Sequence, residues 1–493
     1  MDSAPTHSTD IQDNSDTLGP SSSPNARSDA SSESRAESRR QIQAACCAVF
    51  LALLSNFSYY AAELPLLALV ERRVCDHHYR ILLDKRLAIT QPLDGRSCMI
   101  PEVQNKVAFV VGSKTALDAI PPLLTSFWYG SIANRIGRRP VVLLACSGEL
   151  LNLLATISIG FTQISDNIEW IWLASVFLAI GGGQFLLYAI LDVIVIDVTQ
   201  ESKRVQWLSL LHATTLLNEL CAAPLAAILM QQSLMTAFWV VICAALVRYP
   251  VIWMLPETVQ EEQAVQETSG LENDTQIANI SKDRQPLLVK PNIVKENQPT
   301  TLGLIKLLVS YQGIVFCYAC FLVKRIAFTS EFLMFQRTSE LLRQPLDKTA
   351  WIRIPLGASA TFVTLICIPM YFETFGETRL RSDALKYEMR ALRVSLSILT
   401  TGFGIYWLAS NRTWMALGLL FCGAGEGLAP SLQALASNIV PSYIHTNLFA
   451  IISLVDTSAK LFGGPIMAAA YSIRDEAGQS YGLCFALSMT ITE

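Results

Sequence analysis

A run of about twenty apolar residues is the length at which an α-helix crosses the hydrocarbon of a bilayer, and this chain repeats such runs almost from end to end. They fall at about 42–70, 106–129, 140–162, 169–198, 207–230 and 236–255, then at 312–336, 351–371, 390–409, 413–440 and 447–471. In lipid each run must satisfy its own backbone hydrogen bonds, which dictates helices. Composition agrees: 52% of the residues are hydrophobic and 16% charged, where a soluble domain carries about a quarter charged. The expected fold class is an all-α polytopic membrane protein. A last apolar piece, 481–492, is too short to span, so the final helix is expected to be short or truncated.

The polar segments divide the chain. Residues 1–41 are rich in Ser, Asp, Asn and Arg and read as a disordered cytoplasmic tail. Arg35, Arg39 and Arg40 directly precede the first run, which places the N-terminus inside the cell by the positive-inside rule. A bundle of six helices follows at 42–255, then a cytoplasmic linker at 256–303 that opens on Glu257, Glu261 and Glu262, then a second bundle at 304–493. The net charge of −4 gives no reason to expect nucleic acid. Most of the twelve cysteines lie in apolar runs, but Cys75 and Cys98 share one polar segment expected outside the cell, where they form either a disulfide or two free thiols. The five histidines form no metal-binding box, no nucleotide-binding Gly-x-x-x-x-Gly-Lys-Ser/Thr is present, and no cofactor is expected.

Between the second and third runs lies Gly130-Ser131-Ile132-Ala133-Asn134-Arg135-Ile136-Gly137-Arg138-Arg139, a loop of about ten residues whose three arginines mark its cytoplasmic side. It resembles the signature loop of the major facilitator superfamily, G-x-L-a-D-r-x-G-r-k. Gly130, Ile132, Ala133, Arg135, Gly137, Arg138 and Arg139 follow that pattern, and Asn134 replaces its Asp. The resemblance implies two six-helix bundles and a substrate site between them. It also implies an inner gate in which Arg138 pairs with an acid at the inner end of the fourth span, here Asp197. The resemblance also implies that the family's Asp sits near the positive N-terminal end of the eleventh helix; Asn134 lacks that charge but can still accept hydrogen bonds there, so that latch is expected to persist but be weaker.

An internal repeat supports the two-bundle layout. At an offset of 241 residues, Leu220-Cys221-Ala222-Ala223-Pro224 falls on Leu461-Phe462-Gly463-Gly464-Pro465, Gly182 on Gly423, and Glu219 on Lys460. Parallel repeats of this kind build such carriers.

Ionisable residues inside spans are costly and mark pathways or partners. The candidates for solute or proton handling are Glu426, Lys324, Arg325, Glu219, Lys460, Asp118 and Asp192. Glu426 lies in Gly423-Ala424-Gly425-Glu426-Gly427, and the resemblance implies that it faces the cavity; a structural hydrogen bond is the other reading. Lys324 and Arg325 point about 100° apart on one helix. They offer a cationic patch, or an ion pair with Asp118, Glu149 or Asp192. Asp456 and Lys460, four residues apart, can pair on one face. Glu63 and Glu331 read as solvated helix ends.

The expected function is secondary transport of a small organic solute by alternating access. It is coupled to protons, with efflux favoured over uptake, in a multi-pass monomer of the cell membrane. A proton symporter for uptake and a non-transporting sensor or defective transporter are the alternatives. An enzyme is not expected.

Overall fold

The computed structural model describes residues 24–84, 98–162, 167–199, 201–256, 312–367, 370, 381–427, 445–473 and 482–492. Within these helices the side chains at 24–38, 126–127, 130–131, 134–135, 196, 201–206, 208–209, 312–314, 317, 381–388, 445–451, 453 and 491–492 lie outside the description. The linker at 256–303 falls, apart from Pro256, outside it as well.

Six helices make the first half: α1 (Pro24–Asp84), α2 (Pro101–Ile136), α3 (Arg138–Phe161), α4 (Gly183–Val198), α5 (Glu201–Gln232) and α6 (Leu234–Met254). A 3-10 segment, Ile168–Ala179, completes the fourth span ahead of α4. In the second half the seventh span is α7 (Gln312–Phe328) and α8 (Glu331–Leu342), and the eighth runs from Leu346 through the 3-10 turn Ala350–Arg353 into α9 (Ile354–Phe362). Helices α10 (Arg381–Leu408), α11 (Arg412–Ala424), α12 (His445–Tyr471) and α13 (Leu483–Thr492) follow. Among the described residues, eight helices are long and apolar enough to cross a membrane.

Local chemistry sets the helix ends. Pro101 and Glu102 open α2, suiting the free N–H groups and positive pole of a first turn. Ser233 accepts a hydrogen bond from the Thr236 backbone at the start of α6, and Asn411 accepts one from Trp414 at the start of α11. Each such cap contributes about 1 kcal/mol. Exposed tryptophans lie towards both ends of the molecule, Trp128 and Trp253 near the arginine-rich turn and Trp170, Trp239 and Trp414 near the opposite end, the distribution expected of aromatic residues at two membrane interfaces.

Three boundaries differ from the sequence expectation. Helix α1 begins at Pro24, so the segment 24–41 is helical where composition suggested an unstructured tail. The loop Gly130–Arg139 is almost wholly helical: α2 runs to Ile136, α3 starts at Arg138, and Gly137 alone separates them at φ +112°. Only glycine adopts that angle without strain, which lets one residue reverse the chain. Helix α1 also continues beyond the expected run 42–70 to Asp84, so Cys75 sits on its last turns and is bonded to Cys98 just ahead of α2, with Cα atoms 5.5 Å apart. That linkage identifies one end of the molecule, called here the disulfide end.

The short α13 is well anchored. Phe485 is fully buried against Tyr406 of α10 with ring centroids 4.7 Å apart, and the Ser488 hydroxyl donates to the Ala327 carbonyl of α7 at 3.1 Å. Its ten residues cover about 15 Å, half the hydrocarbon thickness.

The halves meet along two seams. Helix α2 packs on α12, and α5 packs on α9, an arrangement related by the repeat. Gly112 and Gly464 touch backbone to backbone in the first seam: a Cβ built on Gly112 would stand 2.8 Å from the Gly464 carbonyl oxygen. In the second, a Cβ on Gly357 would stand 2.7 Å from the Cα of Leu220. Small residues allow such approach where lipid gives helices no hydrophobic reason to associate. The side-chain bonds that join the halves here, Asn105 to the Ser472 carbonyl and Gln336 to Gln104, also lie towards the disulfide end.

Candidate functional site

A cavity of about 320 Å³ lies between the halves, lined from the first by Tyr59, Asp118 and Phe185 and from the second by Arg325, Phe328 and Lys460, among others. The volume is at the small end of the range for small-molecule sites.

The charges around it are sorted into groups. On α2, Lys114 donates to Asp118 at 2.6 and 2.8 Å and to Asn152 at 3.1 Å. Glu149 of α3 is paired with the fully buried Arg248 of α6, whose guanidinium also donates to Ser55 at 3.2 Å. Lys460 of α12 rests on aromatic faces, 4.6 Å from the Phe185 ring centre and 5.3 Å from that of Tyr59, with the Tyr59 hydroxyl 3.5 Å away. Arg325 of α7 has a buried Nε with no hydrogen-bond partner.

Above the cavity, towards the disulfide end, one arginine gathers three carboxylates. Arg353, 3% exposed, stands 2.7 Å from Glu63 of α1, 3.1 Å from Glu331 of α8 and 3.8 Å from Glu219 of α5. Two of these acids belong to the first half, and Glu331 and Arg353 to the second, so the cluster ties the halves together. Its placement follows from local breaks. Thr329 and Ser330 turn their hydroxyls back onto the Arg325 and Ala327 carbonyls, which competes with the helix and separates α7 from α8. Glu331 therefore occupies the first turn of α8, where a negative charge is favoured.

Arg353's Nη2 lies within ion-pair distance of Glu219 and Glu331, yet off any hydrogen-bond direction. The Tyr60 and Phe335 rings flank the guanidinium at 5.9 and 5.4 Å.

Several sequence expectations are corrected. Glu63 and Glu331 are not solvated ends; both are held by Arg353. Lys324 pairs with Glu426 at 2.8 Å rather than with Asp118, Glu149 or Asp192, and neither Lys324 nor Glu426 lines this cavity. Asp118, Arg325 and Lys460 do line it, while Glu219 and Asp192 do not. No ion pair joins Asp456 and Lys460 among the described residues, since the Lys460 ammonium turns instead to Tyr59 and Phe185. Arg353, Arg248 and Lys114 were not among the sequence candidates, although Glu63, Glu149 and Asp118 each need a neutralising cation. Asking which cation neutralises each acid would have found them.

At the arginine-rich turn, Arg138 is buried and ion-paired with Asp197 near the end of α4. Arg139 donates to the Trp253 carbonyl at 3.0 Å and lies over its ring at 5.2 Å, tying the turn to α6. The backbone of Gly130, Asn134 and Arg135 is helical, and their side chains are outside the description. If the Arg138–Asp197 pair controls opening, Arg138→Asp with Asp197→Arg should recover more transport than either change alone. Equal losses in all three, measured in one solute-uptake assay, would remove the pair from that role.

Among the described residues no group of three or more His, Cys, Asp or Glu is placed to hold a metal ion. Helical halves repeated about a charged central cavity, with seams of glycine between them, define a multi-pass membrane carrier rather than an enzyme. The family follows from the chain itself. Residues 99–464 match the profile of the Major Facilitator Superfamily, and the chain belongs to that family.

Its relatives include MFS transporter SAT21 of Stachybotrys chartarum, 30% identical over 90% of this chain and 93% of that protein. MFS efflux pump atnC of Emericella nidulans is 23% identical over 83% of this chain and 77% of that one. Among solved structures, a D-xylose-proton symporter covers 92% of this chain and 97% of its own at 14% identity and a TM-score of 0.57. The human organic anion transporter MFSD10 covers 92% and 99% at 14% identity and a TM-score of 0.56. At that identity these two share the fold.

Proposed function

We propose that this carrier exports a small organic solute across the cell membrane in exchange for protons, by alternating access. The observation that carries the reading is the Arg353 cluster. Three carboxyls face one guanidinium at a buried junction between the halves, and a buried excess of negative charge is costly unless something neutralises it. Protons arriving from the disulfide end supply that neutralisation. A protonated carboxyl no longer holds Arg353 as an ion pair, so proton uptake loosens the junction and favours its opening. The names of two relatives, an efflux pump and a transporter, support the exporter branch of fungal carriers.

Orientation follows from the same end. A Cys75–Cys98 bond persists in an oxidising compartment, which supports an outward disulfide end and a cytoplasmic N-terminus, linker and Gly137 turn. The protein acts as a monomer, each chain holding both halves of the site.

Proton coupling is tested in proteoliposomes loaded with a pH-sensitive dye, to which a panel of organic solutes is added. Solute-dependent proton flux is expected in the intact chain. Absence of flux with every solute that moves would leave uncoupled transport, and absence of movement altogether would favour a sensor. Glu426, paired to Lys324, is a second carboxylate on the coupling route. Glu426→Gln should abolish proton-driven transport while sparing solute exchange, and unchanged coupled efflux would leave the coupling to the Arg353 cluster.

A further inference from the structure

Not every charge that lines the cavity has an ion-pair partner. Lys114 is neutralised by Asp118 and Arg248 by Glu149, while Glu63 and Glu331 are taken up by Arg353. Two cavity-lining cations remain, Arg325 and Lys460, and neither has a carboxylate within ion-pair distance among the described residues. The acids around them, Asp456 and Glu331 near both and Asp118 near Lys460, stand beyond ion-pair distance. The two cations thus form a pole with no acid in ion-pair contact among the described residues.

The surroundings specify what completes it. Lys460 lies over the rings of Phe185 and Tyr59, and Tyr59 meets Tyr60 edge to face at 5.3 Å. Phe328 and Phe332 line the wall on the second half. A cationic pole beside an aromatic wall accommodates a flat, apolar body carrying one negative group, held by charge-assisted hydrogen bonds at one end and by ring contacts along its length. The walls come from both halves, so such a solute touches each side of the rocking interface.

We propose that Arg325 and Lys460 form the anion-binding pole of the solute site, and that the solute is a monoanion, such as a carboxylate, on a flat and largely apolar body. The proposal rests on the carrier reading above and names the class of its cargo. It concerns binding alone, so its test needs no gradient.

The full chain in lipid nanodiscs is titrated at equilibrium with 2-naphthoate and with its neutral counterpart 2-naphthamide. The acid is expected to bind roughly tenfold more tightly than the amide. Arg325→Gln and Lys460→Gln should each erase that preference while amide binding is kept, which shows that the variants remain folded. Lys460→Arg should retain it. Equal affinity for the two probes in the intact chain overturns the proposal, as does binding of neither probe, or a preference that survives in both glutamine variants. Failure here leaves proton-coupled transport standing, and failure of coupling in proteoliposomes leaves this result standing.

Discussion

Replacing Arg353 with glutamine is expected to abolish proton-driven transport and to destabilise the contact between the halves. Arg353→Gln leaves Glu63, Glu219 and Glu331 facing one another at a buried site with no cation. Breaking a buried ion pair from one side costs about 3–5 kcal/mol, most of it from the charge left behind. Acid should lessen the loss, because protonated carboxyls no longer repel. Arg353→Lys keeps the charge but loses the planar fork that reaches several acids at once, so an intermediate loss is expected. Thermal unfolding at two pH values, with transport measured in parallel, checks both parts. If Arg353→Gln retains stability and coupled transport at neutral pH, the cluster neither seals the halves nor carries the proton.

The second large effect is expected at Gly464. A Cβ there would stand 2.5 Å from the Gly112 carbonyl oxygen, and that obstacle is backbone, which cannot rotate aside. Gly464→Val must therefore push α2 and α12 apart at the disulfide end. Overpacking of this kind costs about 1–3 kcal/mol, which shifts a two-state equilibrium roughly 5- to 150-fold. The shift should favour the conformation open at that end and slow turnover. Asn105 and Ser472 are hydrogen-bonded across the same seam. The rate of crosslinking between Asn105→Cys and Ser472→Cys, in a chain without its other free cysteines, reports the separation. Crosslinking as fast with Gly464→Val as without it would mean that the seam tolerates the added bulk.

What the sequence could reveal depended on range. Each span announces itself through its own length and hydropathy, which is why an all-helical membrane protein of two repeated halves was legible without coordinates. Asn134, Gly137 and Arg138 were likewise legible, because they lie in one short stretch with a recognisable pattern. The ion pairs were not. Arg353 and Glu63 are 290 residues apart and Lys324 and Glu426 are 102 apart, and nothing local records which helix faces meet. Helical spacing suggested Asp456 for Lys460, but the aromatic faces of Phe185 and Tyr59 supplied a nearer surface from the other half. The helix breaks at Thr329–Ser330 and before Pro355 were also hidden, since both fall inside apolar runs. These breaks bring Glu331 and Arg353 together.

The two glycine seams and the Arg353 cluster divide the work of recognition between geometry and charge. Backbone packed against backbone responds to shape alone: bulk, lipid pressure or a tightly filled cavity can spread Gly112 from Gly464, but a proton leaves that contact unchanged. The cluster has the opposite sensitivity. The resting conformation is thus gripped by two independent fastenings, and a full transport cycle has to release both. Under the proposed exchange of solute for protons, a cargo that fits without a proton, or a proton that binds without cargo, would undo one and leave the other closed, so that neither would leak.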